Sequence, residues 1–249
     1  MRLCLVALKN RMKVSIVIPA FNEENYLPAT LENIGAALAN AGFESETIVV
    51  DNESTDKTKQ IAENFGAKVF TESEHNIGKV RNTGAKNAVG DVLIFVDADT
   101  IVPTSLLQKI ADVMKDERCF GGAVAVDYKP FERQWMKYYL RGGELWQTVF
   151  NWRQGATQFC RKSVFHEIGG YDETIFMGED VMFYWRLSKF AKQTDGHLFF
   201  VENPKVVTSA RRFDRMSIWK TLLLTHPLFI LLTLRRKKFW RDWYEKPIR

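Results

Sequence analysis

Cysteine is scarce and poorly placed for cross-linking: the chain has three, Cys4, Cys119 and Cys160, at wide spacing. An odd number so dispersed excludes a disulfide framework and a cysteine-based zinc site, and suits a reducing, cytoplasmic setting. The four histidines, His75, His166, His197 and His226, form no ligand pair, so zinc has no donor set there either. A long hydrophobic run is missing. The apolar stretch at 221–234 falls short of the roughly 20 residues a bilayer span needs. The opening MRLCLVALKNRM has no long h-region or small-residue cleavage site and reads as a ragged start. A strong charge of one sign is absent as well, since 35 Lys+Arg against 30 Asp+Glu leave +5. No reading motif or stacking pattern accompanies that charge, so nucleic acid is not an expected partner. No G-x-G-x-x-G follows the first apolar run, which excludes a dinucleotide-binding oxidoreductase. No internal repeat or low-complexity linker divides the chain.

What is present fits one large α/β domain, for which 249 residues suffice. Apolar, β-branched runs at 14–18, 47–50, 68–70 and 92–96 predict strands buried on both faces. Helical spacing lies between them at 26–41, 55–65 and 76–88, and each of these stretches ends towards a glycine, Gly42, Gly66 or Gly90, as helix C-termini often do. Strands alternating with helices predict βαβ units, a parallel sheet and right-handed crossovers. Ligands of such sheets sit beyond the carboxyl ends of the strands. Three polar clusters stand at those ends: Asn22-Glu23-Glu24, Asp51-Asn52-Glu53 and Asp97-Ala98-Asp99. Beyond Thr100 the pattern predicts helices at 103–115 and 181–190 and strands at 122–126, 156–161 and 197–201, continuing the same sheet.

Two aspartates separated by one residue at a strand end can point to the same side. Asp97 and Asp99 could therefore share a divalent cation, directly or through its waters, and that cation could bridge a diphosphate. The same spacing also suits a polar turn or a helix cap ahead of Pro103.

Taken in order, VSIVIPAFNEENYLPATLENI, IVVDNESTDKT, NIGKVRNTGAKNAVGDVLIFVDADT and GGYDETIFMGEDVMFYWRL resemble the family 2 glycosyltransferases of GT-A fold. The resemblance implies a Rossmann-like, mainly parallel central sheet flanked by helices, with a C-terminal helical extension. It implies one domain at 13–210, with a nucleotide-sugar half at 13–100 and an acceptor half at 101–210, followed by a tail at 211–249. Pro19, Ala20, Asn22 and Glu23 then match the loop along the nucleoside, and Asp51 the acid that hydrogen-bonds base or ribose. Lys79 and Arg81 fall near the diphosphate. Asp97 and Asp99 match the motif that holds Mn2+ or Mg2+, with Ala98 between them in the donor site. Without the resemblance Asp51 reads as a cap for a helix beginning near residue 54 or 55, and Arg81 as a solvated helix charge. One departure stands out: Glu53 occupies the place where the family usually has glycine, so the donor base, uracil or guanine, cannot be carried over.

Gly178-Glu179-Asp180 matches the family's acidic pair near the acceptor. The resemblance implies that Asp180 is the catalytic base, removing the acceptor hydroxyl proton, with Glu179 in support. Apart from it, the two acids read as an N-cap pair for the following helix. A single displacement implies inversion at the anomeric carbon.

Trp135, Tyr138, Tyr139, Trp146, Phe150 and Trp152 either stack on acceptor sugar faces or fill core at helical spacing. The run at 221–234 is followed by RRKKFWRDW. It reads as an interfacial helix on an anionic membrane face or as a buried helix packed on the domain, and the adjoining basic and aromatic residues favour the membrane. The function implied is a non-processive, metal-dependent transfer of one hexosyl or related group from a UDP- or GDP-sugar. The acceptor is a hydroxyl, lipid-linked or on a cell-envelope glycan, and the enzyme is cytoplasmic, at most peripheral on the membrane's cytoplasmic face. Processivity is disfavoured because no Q-x-x-R-W follows Asp180. Ser209-Ala210-Arg211-Arg212-Phe213 is a candidate to close over the diphosphate. The alternatives are a catalytically silent nucleotide-sugar binder and a nucleotidyltransferase, the second weakened by an acidic, glycine-free loop after the first strand.

Overall fold

β-Branched residues in the first strand alternate between two cores. Val14, Ile16 and Ile18 enter one hydrophobic cluster and Val17 the other, as a pleated strand buried on both faces requires. In the computed structural model, which describes residues 12–39, 41–129, 135, 155–214 and 216–240, this strand is β1 (Lys13–Ala20). It is followed by α1 (Leu27–Ala39), β2 (Glu44–Asp51), α2 (Thr58–Asn64), β3 (Lys68–Thr71), α3 (Ile77–Asn87) and β4 (Val92–Val96). β1 pairs in parallel with β2 and β4, and β2 in parallel with β3. Every residue of β4 is buried.

The second half extends the sheet through β5 (Thr100–Ile101), α4 (Leu106–Val113), β6 (Cys119–Tyr128), β7 (Thr157–Arg161), α5 (Lys162–Glu167), α6 (Glu179–Gln193) and β8 (His197–Thr208). The strand order is β3-β2-β1-β4-β7-β6-β8-β5. β7 lies antiparallel between β4 and β6, while β6 and β8 are parallel. Residues of α1 and α4 pack with one hydrophobic cluster, and residues of α3, α5 and α6 with the other. The result is an eight-stranded, mainly parallel sheet flanked by helices, the class that the alternation predicts. Among the described residues beyond β8 come α7 (Arg211–Asp214), α8 (Ile218–Leu224) and α9 (Pro227–Thr233), and residues 237–240 are helical as well.

Several boundaries differ from expectation for physical reasons. Gly66 follows α2 at φ +76°, the left-handed conformation of a helix C-terminus. Gly90 does not play that part: α3 ends at Asn87 with Ala88 extended, and a Cβ on Gly90 would stand 2.6 Å from the Ser15 nitrogen. Its role is close approach to β1. β8 runs past Pro204 to Thr208, and its pairing with β6 is irregular between Val124 and Val126, opposite the proline, so the break expected after residue 201 is absorbed within the strand. The C-terminal run is not one helix. Pro227, which lacks an N–H and sets φ for a first helical turn, begins α9 and separates it from α8.

Candidate active site

Two loops at the carboxyl ends of β1 and β2 are stitched together. Asn22, at φ 54°, accepts from the Thr55 N–H at 2.8 Å, and its own N–H donates to Ser54 Oγ at 2.9 Å. The Glu23 N–H donates to Thr58 Oγ1 at 2.7 Å, and the Asn52 N–H to the carbonyl of Ala20 at 2.8 Å. Pro19 and Ala20 end the buried strand beneath. Asp51 is buried, and its carboxylate meets the Ser54 N–H at 3.3 Å. It does not cap α2, which starts at Thr58 with Asp56 accepting from the Thr58 N–H at 2.9 Å. Glu53 stands at φ 58°, a left-handed conformation that glycine adopts without strain. This is the position where the resemblance led one to expect glycine, and Glu53 holds the same left-handed backbone with a full side chain. Its carboxylate lies 4.0 Å from His75, whose ring meets Phe21 edge-on.

The Asp97-Ala98-Asp99 turn is fastened on three sides. The Asp97 N–H donates to the carbonyl of Ala156, Thr30 of α1 donates to the carbonyl of buried Ala98 at 2.8 Å, and Thr208 at the end of β8 donates to Asp99 Oδ1 at 3.1 Å. Arg211 reaches Asp99 at 3.3 Å and Glu23 at 2.5 Å, with its guanidinium over the Tyr26 ring at 4.1 Å. It thereby ties the segment after β8 to the first loop and to the turn.

Arg81 links the turn to the second acidic motif. It is 2% exposed and bonds Asp97 at 2.8 Å and Glu179 at 2.7 Å. Beneath it lies Tyr171, which stacks on Phe183 of α6. Glu179 and Asp180 open α6, whose N-cap is Gly178 in the left-handed region at φ 75° with no side-chain cap bond. Asp180 accepts from the N–H groups of Val181 at 2.8 Å and Gly155 at 2.5 Å. Burial, and then the adjacent Glu179 charge, push its carboxyl up to about 7 against the opposing pull of Arg81.

The structure thus brings Arg81, Asp97, Glu179 and Asp180 together, with Asp99 one turn position away. Lys79 is not joined to them: its ion pairs are with Glu74 at 2.6 Å and Glu72 at 3.8 Å. Three residues with no motif in the sequence complete the surroundings. Tyr128 ends β6, and burial, followed by the charges of Asp180, Asp97 and Asp99, raises its phenol above the usual range. It stands among three acids as a neutral hydroxyl. Gln158 donates to the Asp180 carbonyl and accepts from Tyr171. Gly155 leaves room for Asp180, since a Cβ there would sit 2.3 Å from the Asp180 Cβ. Of the aromatic residues expected near an acceptor, Tyr138, Tyr139, Trp146, Phe150 and Trp152 lie outside the described residues.

Asp97 and Asp99 provide two hard carboxylates, and no group of three or more His, Cys, Asp or Glu forms a metal site among the described residues. Mg2+ or Mn2+ beside a diphosphate is commonly held by one or two carboxylates, with phosphate oxygens and water completing the shell. The donor set fits an ion held in that way.

A mainly parallel α/β sheet flanked by helices, with acidic turns at its carboxyl edge, is the architecture of the GT-A fold. The fold is shared with glucosyl-3-phosphoglycerate synthase from Mycobacterium tuberculosis, solved with Mn2+, UDP and glucosyl-3-phosphoglycerate. The TM-score is 0.62 at 18% identity, covering 92% of this chain and 81% of that one. Residues 15–178 match Glycosyl transferase family 2, and the chain belongs to that family. It is 30% identical over 146 residues to dolichol-phosphate mannosyltransferase of Pyrococcus furiosus, a match covering 57% of this chain and 36% of that protein. It is 41% identical over 93 residues to 4,4'-diaponeurosporenoate glycosyltransferase of Staphylococcus haemolyticus, covering 34% and 24%. The matches thus span about a third or less of these relatives' own lengths.

Two substitutions test the geometry. Arg81→Gln leaves Glu179 buried without its counter-charge and should lower stability by about 3–5 kcal/mol in urea unfolding; a loss below about 1 kcal/mol is what an exposed pair gives and would contradict the burial. Glu53→Gly removes left-handed strain at the cost of added chain entropy and should raise stability by about 0.5–1 kcal/mol. An unchanged or lower unfolding midpoint would show that Glu53 carries no strain.

Proposed function

We propose that this chain transfers a single sugar from a UDP- or GDP-sugar to an acceptor hydroxyl, with inversion at the anomeric carbon and with a divalent cation. One observation carries the reading: a buried guanidinium joins the Asp97-Ala98-Asp99 turn to Glu179-Asp180, beside a carboxyl poised near 7. Residues 13–100 form the donor half and 101–210 the acceptor half. Pro19, Ala20, Asn22 and Glu23 shape the nucleoside loop, and Asp51 takes a hydrogen bond from base or ribose. Asp97 and Asp99 would hold Mn2+ or Mg2+, which when bound offsets charge on the leaving diphosphate. Arg81 orients both acidic motifs, whereas Lys79 is paired with Glu74 and Glu72 and takes no part in this reading.

Asp180 does the proton chemistry. As the acceptor oxygen attacks the anomeric carbon and the bond to the diphosphate breaks, the hydroxyl proton passes to the Asp180 carboxylate. A base titrating near the working pH is well matched to this role, with a typical contribution of ~10²–10⁴-fold. Glu179 is held by Arg81 and is not a free second nucleophile, which favours one displacement and hence inversion. The names of relatives point both ways, to lipids in two of them, with dolichol phosphate and 4,4'-diaponeurosporenoate, and to poly(ribitol-phosphate) in a third, so a lipid-linked acceptor and a cell-envelope glycan both stand in this reading. The setting that suits a lipid-linked acceptor is the cytoplasmic face of a membrane.

The test is turnover of UDP- and GDP-sugars with Mn2+ or Mg2+, with wild type and Asp180→Asn compared across pH. Wild-type turnover should vanish on chelation and rise with pH through about 7, where Asp180 ionises. Asp180→Asn should lose ~10²–10⁴-fold. Stability should move the other way. The folded-state pKa of Asp180 lies above the unfolded value of about 3.9, so the contribution of its protonated form is complete below that value and is lost as pH rises through 7. At pH ~8 Asp180→Asn should therefore melt higher than wild type, with the gap closing towards pH ~4. Turnover that survives the substitution would remove Asp180 as the base. Absence of turnover with any donor would favour a silent nucleotide-sugar binder.

A further inference from the structure

Helices α8 and α9 are built inside out. Thr221 is fully buried and Thr233 nearly so, while Trp219, Leu222 and Leu223 of α8 and Leu228, Leu231 and Leu232 of α9 stand exposed, Trp219 at 81% and Leu232 at 73%. The buried hydroxyls are satisfied within their own helices, Thr221 by the carbonyl of Ser217 and Thr233 by that of Phe229. The exposed residues recur at helical spacing, so each helix turns an apolar stripe away from the domain. This is not a loose tail. Trp240 is fully buried and donates its indole N–H to the Thr233 carbonyl at 3.0 Å. An outward apolar face on an anchored element calls for a partner.

Charge selects that partner. Arg235, Arg236, Lys237 and Lys238 follow α9 after its C-cap Leu234, and all four are exposed. No helix among the described residues is long and apolar enough to cross a membrane, yet a leucine and tryptophan face ending in this basic cluster, of which Arg235 also pairs with Asp172, matches the acyl boundary and phosphate layer of one anionic leaflet. A second copy of the chain fits less well, because a symmetric pairing places two identical cationic clusters at the same interface.

The helix pair is also fixed to the site. The Phe176 N–H donates to the Leu234 carbonyl at 2.7 Å, Arg235 pairs with Asp172 at 3.1 Å, and Ile230 lies 3.6 Å from where a Cβ on Gly178 would be. These contacts hold the loop that leads into Glu179-Asp180. We propose that α8, α9 and the basic segment after them dock on an anionic phospholipid surface and hold the acceptor side of the site at the headgroup layer. The docking stands on the surface itself; its meaning for the acceptor rests on the glycosyl-transfer reading above.

Flotation of the full chain with vesicles tests it, using phosphatidylcholine alone and phosphatidylcholine mixed with phosphatidylglycerol. Wild type should float with the anionic vesicles only. Trp219→Ser combined with Leu232→Ser, and separately Arg236→Glu combined with Lys237→Glu, should each weaken binding by roughly tenfold or more. Circular dichroism and metal-dependent donor turnover should stay unchanged in both, which separates lost docking from lost folding. Wild type that fails to float with anionic vesicles would overturn the proposal. So would a wild-type dimer in light scattering that Trp219→Ser with Leu232→Ser turns into monomer, since the face would then be an interface between copies. Flotation without turnover of any donor would leave the docking in place and remove the catalytic reading instead.

Discussion

A guanidinium almost wholly removed from water needs its charge answered nearby, and Arg81 is answered twice, by Asp97 and by Glu179. Residues 81 and 179 are far apart in sequence, and their pairing fixes how the strand-end turn of the first half faces the first turn of α6. The arrangement is costly to break, because a buried pair that loses one partner leaves the other charge uncompensated. The neighbouring Asp180 is raised first by its burial and then by the Glu179 charge beside it, while Arg81 pulls the other way. Structure and proton chemistry therefore meet in one buried cluster.

Around that link the donor side is assembled by hydrogen bonds between loops rather than by helix caps. Asn22 and Glu53 both take left-handed backbone conformations, and the bonds of Asn22 to Ser54 and Thr55 hold the first loop against the second. Asparagine adopts this conformation readily; glutamate does so only when the surroundings impose it. Arg211 closes the ring from the far end of the domain by pairing with Glu23 and Asp99. Ordering of the segment after β8 is thereby coupled to the same carboxylates that belong to the donor site.

Much of the fold was legible because strands buried on both faces read as unbroken apolar runs, and β4 matches its expected bounds. Short elements carried no such signal: β5 has two residues and α5 six, too few for any period to show. Two bounds were missed at prolines. The strand expected at 197–201 runs on through Pro204 to Thr208, with an irregularity in its pairing with β6, and Pro227 lies inside an apolar run that reads as one helix and divides it in two. For the site, the acidic motifs could be found from their spacing and resemblance. The partnership between Arg81 and Glu179 could not, since a helix arginine looks the same whether solvated or buried. Tyr128, Gln158 and Gly155 belong to no motif, and only the approach of β6, β7 and α6 puts them beside Asp180.

The central claim is that Asp97 and Asp99 form a metal-dependent diphosphate site completed by the nucleotide. Mn2+ electron paramagnetic resonance tests it directly, with the ion titrated into the protein alone, with UDP, with GDP, and with the Asp99→Asn variant. The account predicts weak Mn2+ binding by the protein alone, much tighter binding with one of the two nucleotides, and loss of that gain in Asp99→Asn. Equal Mn2+ binding by wild type and Asp99→Asn in the presence of both nucleotides would contradict it.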